Sequence, residues 1–124
     1  MTNPNQRSGE SSIDFPELLS RVDNDRELLL DLMSIFKEDF PRHVRELIDV
    51  VAARDYKKMA VVSHTLKGML ANLAVHRAAA AAKLEQLGRD NGGEAEITDG
   101  LGAFQREVQG LLPEMEAYMA EVKR

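Results

Sequence analysis

The strongest constraint on the fold is a hydrophobic repeat that runs from Asp25 to Ala53 without losing phase. Leu28, Leu32, Ile35, Phe36, Phe40, Val44, Leu47, Ile48 and Val51 recur three and four residues apart. That is the spacing of one face of an α-helix, not the two-residue alternation of a strand. A helix of this length needs apolar partners along its whole face. Pro41 lies inside it. Proline removes a backbone donor and crowds the preceding turn, so a kink is expected there, with Asp39 placed to cap a second half if the helix divides. The unbroken phase favours the kink.

The rest of the chain supplies partners with the same period. After a short connection at Arg54-Asp55-Tyr56, with Asp55 as N-cap, a central helix runs to about Leu73. Its core face is Met59, Val62, Leu66, Met69, Leu70 and Leu73. A connection this short makes the two helices antiparallel neighbours. From His76 to Arg89 a further helix is predicted, with Arg77, Ala80, Ala81, Leu84 and Leu87 on one side and a low-profile alanine run suited to close helix approach. Gly92-Gly93 ends it. Ile97, Leu101, Phe104, Val108, Leu111, Met115, Tyr118 and Val122 then mark a last helix. Gly100, Gly102, Gly110 and Pro113 weaken that helix in isolation, so it belongs inside a bundle and not in a free coiled coil. Near the start, Asp14 and Pro16 open a short helix that Asp23-Asn24-Asp25 ends. No stretch alternates long enough for a sheet. The expected fold is all-α: an up-down-up-down four-helix bundle with a short N-terminal helix. One domain over residues 13–124 follows a polar, disordered tail over residues 1–12.

Composition narrows the function. A formal charge of -5 does not supply the concentrated basic footprint that nucleic acid requires. No stretch approaches the roughly 20 apolar residues of a membrane span, and the polar first residues hold no apolar targeting core. Without cysteine there is neither a disulfide framework nor a thiolate metal site. A soluble, cytoplasmic protein is expected, with no nucleic acid or membrane as partner. His43, His64 and His76 do not stand at spacings that put two metal ligands on adjacent turns, so neither a metal nor another cofactor is expected. There is no glycine-rich phosphate loop and no kinase nucleotide motif, so the chain has no visible means of using ATP.

One titratable side chain stands apart. Advancing the central helix by 100° per residue puts Lys57, Ala60, Val61, His64, Lys67, Gly68, Ala71 and Val75 opposite the core face. His64 therefore points outward from a low, smooth surface. Gly68, one turn on, costs a helix about 1 kcal/mol relative to alanine, which suggests a site where another backbone comes close. A neutral imidazole is a nucleophile near neutral pH.

The pattern His64-x-x-Lys67-Gly68, followed by Ala71-Asn72-Leu73 and later Leu84-Glu85, resembles the histidine-containing phosphotransfer (HPt) family, as does Phe36-x-x-Asp39-x-Pro41. The resemblance extends from about Phe15 to Arg89. The family pattern has small residues where Met69 and Leu70 stand, and glycine where Ala74 stands. It implies that His64 accepts a phosphoryl group and carries it between aspartates of response-regulator receiver domains. A hybrid sensor histidine kinase would stand upstream. Lys67 one turn on, and Gln86 from the neighbouring helix, are expected to support the phosphoryl group or orient the ring. Lys57, Ala60, Val61, Gly68, Ala71 and Val75 are expected to line the docking face, with Arg54, Lys57 and Lys58 making its N-terminal end basic. The resemblance leaves magnesium and the catalytic acids to the receiver. The chain is then a monomeric carrier and substrate, not an enzyme. A phosphorylation-independent adaptor that docks signalling proteins on the same bundle is the alternative.

Overall fold

Aspartates start three of the helices. Asp14, Asp25 and Asp55 accept backbone N–H groups from Glu17, Leu28 and Lys58 at 3.0, 3.0 and 3.1 Å, caps of a kind that contribute about 1 kcal/mol each. The computed structural model describes residues 13–76 and 78–123. The expected tail over residues 1–12 and the helical placement of Arg77 lie outside the described residues. The helices are α1 (Phe15–Arg21), α2 (Arg26–Ala52), α3 (Tyr56–Asn72), α4 (Ala79–Arg89), α5 (Glu94–Val108) and α6 (Leu111–Val122). Among the described residues the one β contact is an isolated antiparallel bridge between Ile13 and Val75. The fold is an all-α helical bundle.

Non-glycine residues in the left-handed region turn the chain at its corners: Asp23 and Asn24 (φ 53° and 61°), Arg54 (56°), Ala74 (59°) and Asn91 (50°). These are single residues that let a helix end and the next begin. At Arg54 the reversal is immediate, and α3 packs back along α2. α4 then packs on α3, α5 on α4, and α6 against α2, closing the bundle. Between them lie Leu29, Met33, Leu47, Met59, Leu66, Leu70, Leu84, Phe104, Leu111 and Met115, all essentially inaccessible. Each such side chain contributes about 1.5–3 kcal/mol by leaving water.

The long repeat forms one helix through Pro41, which is exposed within it. Asp39 caps no second half; it pairs with Arg42. Its buried side is Leu29, Met33, Phe36, Phe40, Leu47 and Val50, while the expected core positions Leu28, Leu32 and Ile35 are 43%, 42% and 55% exposed. Length explains the difference. At 1.5 Å per residue the 27 residues of α2 reach about 40 Å and the 17 of α3 about 25 Å, so the first turns of α2 outrun α3. α1 and α6 also pack against α2, and on its first turns Leu29 and Met33 are the buried side chains.

Two further boundaries differ from the sequence reading. α4 begins at Ala79, not His76. Ala74 takes the left-handed turn, Val75 N–H bonds back to the Leu70 carbonyl, and Val75 is buried and bridged to Ile13. The last helix is divided at Gln109-Gly110 into α5 and α6, at one of the glycines expected to weaken it. α1 is fastened across this end of the bundle. Phe15 stacks on Tyr118 of α6 with ring centroids 3.9 Å apart, and Arg21 Nη1 donates to the Ala71 carbonyl at 2.9 Å at the end of α3.

Candidate functional site

A close approach of two helix backbones positions the site. A Cβ added to Gly88 of α4 would lie 2.8 Å from both the Ala60 nitrogen and the Tyr56 oxygen of α3, so glycine lets the two backbones meet there. One turn earlier on α4 comes Glu85; one turn later on α3 comes His64. The pairs Ala60 with Gly88 and His64 with Glu85 run in opposite senses along the two chains, which makes α3 and α4 antiparallel.

Glu85 is buried, at 5% side-chain exposure, and three side chains converge on it. His64 Nδ1 is 3.1 Å from its Oε2, Lys67 Nζ is 2.7 Å from its Oε1, and Arg89 Nη2 pairs with Oε2 at 2.5 Å. Lys67 stands three residues after His64 on α3, and Arg89 four residues after Glu85 on α4, so each helix supplies one cation from its own adjacent turn. A carboxylate withdrawn from water is costly unless paired. The Lys67 ammonium beside it is the largest influence holding the Glu85 carboxyl below the usual carboxylate range; burial opposes it, and Arg89 and His64 add to the lowering. Glu85 is therefore ionised near neutral pH and can only accept hydrogen bonds. The Nδ1 atom of His64 must then carry a hydrogen, so in the neutral ring the Nε2 lone pair is the open one. The His64 side chain is 65% exposed.

Lys57, Val61, Gly68 and Ala71 are exposed, Val61 at 60%, and a Cβ on Gly68 would meet nothing within 4 Å. Ala60 and Val75 do not belong to that open face. Ala60 lies under Gly88 in the α3–α4 contact, and Val75 is buried beyond the end of α3. Gln86 is not the ring's partner: it is exposed and donates to Asp90 Oδ2 at 2.8 Å, and the residue before it in the chain meets His64. Of the expected basic end, Arg54 is tied to Glu94 across to α5.

Glu85 itself was missed as a site residue. The signal was present, because Ala81, Glu85 and Gly88 follow the four-then-three spacing of a packed face, and a carboxylate in such a row calls for a partner. His43 and His76 stand elsewhere, beside Glu46 and Glu17. Asp14, Glu17 and His76 bring three ligand atoms within 4.8 Å of one another. These groups are already engaged, Asp14 in capping α1 and Glu17 with Arg21.

Fold and site together define a helical bundle that presents the exposed imidazole of His64 from the middle of a helix, its Nδ1 anchored on a buried carboxylate. A family model for the Hpt domain matches residues 31–123, and the chain belongs to that family, whose work is histidine phosphotransfer in two-component signalling. No curated protein and no solved structure gives a significant match. Among the described residues no helix is long and apolar enough to cross a membrane.

Proposed function

We propose that this protein carries a phosphoryl group on Nε2 of His64 between receiver-domain aspartates in a two-component phosphorelay. The observation that carries the reading is the His64–Glu85 contact. A buried, ionised carboxylate accepts a hydrogen bond from Nδ1, which leaves Nε2 as the nucleophilic nitrogen of an exposed ring on a helix surface kept low by Gly68. In the forward step Nε2 attacks the phosphorus of an aspartyl phosphate. The P–N bond forms as the P–O bond breaks, and the electron pair leaves with the aspartate carboxylate. Lys67 and Arg89, which meet Glu85 beside the ring, would offset the charge gained.

In this reading the protein is a monomeric carrier and not an enzyme. It works in the cytoplasm with receiver domains and with a hybrid sensor kinase upstream. The exposed flank of Leu28, Leu32 and Ile35 and the exposed Val61 offer apolar area for docking. The same flank is what a phosphorylation-independent adaptor would use, and one assay separates the two. Incubation with a phosphorylated receiver is expected to give an acid-labile, alkali-stable adduct that His64→Gln abolishes. A complex that forms without any adduct supports the adaptor. An adduct that persists in His64→Gln refutes the assignment of the acceptor.

A further inference from the structure

The Glu85 contact has a second consequence, for the reverse step. Consider His64 already phosphorylated on Nε2. To give the group to a receiver aspartate, the P–Nε2 bond breaks and its electron pair returns to the ring. If Nδ1 still holds its hydrogen, the ring leaves as a neutral imidazole. If Nδ1 has lost it, the ring must leave as an imidazolate, a far worse leaving group, and transfer stalls. A donor phosphohistidine therefore works only while Nδ1 is protonated. Nucleophilic attack by Nε2 of His64 uses the same hydrogen on the same Nδ1 atom, so no proton needs to enter or leave Nδ1 in either direction.

We propose that Glu85 is a positioning residue that retains the Nδ1 proton of phosphorylated His64, keeping it a competent donor at pH values where a free phosphoimidazole has lost that proton. This rests on the reading of His64 as the phosphoacceptor. The geometry is on both sides of the contact. Nδ1 is 3.1 Å from a carboxylate oxygen that is nearly sealed from water, so no solvent molecule replaces that acceptor at low cost. The other charged groups meeting this carboxylate are Lys67 from α3 and Arg89 from α4. Their cations make Glu85 a poor final resting place for the proton, so the carboxylate holds it by hydrogen bonding and does not remove it.

The test loads the full chain with phosphoramidate, which needs no partner protein, in wild type and in Glu85→Gln. Glutamine keeps the shape but offers its amide to either ring tautomer, so it stops favouring the proton. NMR of the loaded ring gives the midpoint of its titration, and single-turnover transfer to a receiver domain gives the rate across the same pH range. The wild-type midpoint is expected about one pH unit above that of the variant, so the wild-type to variant rate ratio should climb from about one near pH 6 to about ten near pH 9. Taking the ratio removes the receiver's own titration. Equal midpoints, or a rate ratio that is constant with pH, overturn the proposal, since a carboxylate that only orients the ring lowers transfer equally at every pH. If Glu85→Gln does not fold, the comparison is between wild type and a phosphorylated peptide of residues 61–68, and equal midpoints there are equally fatal. Failure of the underlying reading looks different: loaded wild type then transfers nothing to any receiver at any pH, whatever its midpoint.

Discussion

Two glycines one helix apart should respond to the same substitution with opposite signs. At Gly88 an added Cβ would stand 2.8 Å from two backbone atoms of α3 and 3.1 Å from the Ala60 Cα. Ordinary contacts begin near 3.4 Å, so α4 must retreat by about 0.6 Å, and no flexible side chain is available to yield in its place. Overpacking of this kind costs about 1–3 kcal/mol, against which alanine's helix preference returns up to about 1 kcal/mol. Gly88→Ala should therefore lose about 1–2 kcal/mol, or about 4–8 °C of melting temperature for a domain of this size. At Gly68 the added methyl meets nothing, and Gly68→Ala should gain up to about 1 kcal/mol. Thermal melts and urea titrations followed by circular dichroism measure both, with an unchanged urea dependence as the sign that only stability has moved. The retreat of α4 also draws Glu85 from His64, so Gly88→Ala should slow phosphoryl transfer where Gly68→Ala does not. A Gly88→Ala variant as stable as Gly68→Ala would refute the close backbone approach from which the site geometry was built.

Two further outcomes follow from the same site. Gly68→Gln should fold normally, because the position is open, yet lose transfer by orders of magnitude if a receiver approaches along this face; stopped transfer assays beside a circular dichroism spectrum decide it, and full activity would move the docking surface elsewhere. The second concerns pH. Glu85 has a lower pKa folded than its ordinary value of 4.5, so its contribution to stability is present above about pH 4.5 and is lost as pH falls through the folded value. Wild type should therefore lose urea resistance on acidification through that range more steeply than Glu85→Gln, and parallel curves for the two proteins would contradict the buried ion cluster.

Much of this protein is legible one helix at a time. The three-and-four spacing of Phe36, Phe40 and Leu47, or of Met59, Val62, Leu66 and Leu70, follows from the pitch of an α-helix and needs no knowledge of what lies opposite. Asp14 and Asp55 were equally readable as caps, since a cap is an interaction between residues three apart. The outward direction of His64 came from the same periodicity, and the family pattern around it from the chain itself. What periodicity could not supply was the length of each partner. Leu28, Leu32 and Ile35 continue an apolar pattern, but α3 is too short to reach them, so only the assembled bundle makes them surface. Val75 lost its expected face because Ala74 turns left-handed and the N-terminal Ile13 arrives to pair with it, a contact between residues far apart in the chain. The choice of Glu85 over Gln86 was settled in the same way. Adjacent residues on a helix point 100° apart, and which of the two meets His64 depends on the rotation of α4 about its axis, set where Gly88 lets its backbone rest on Ala60.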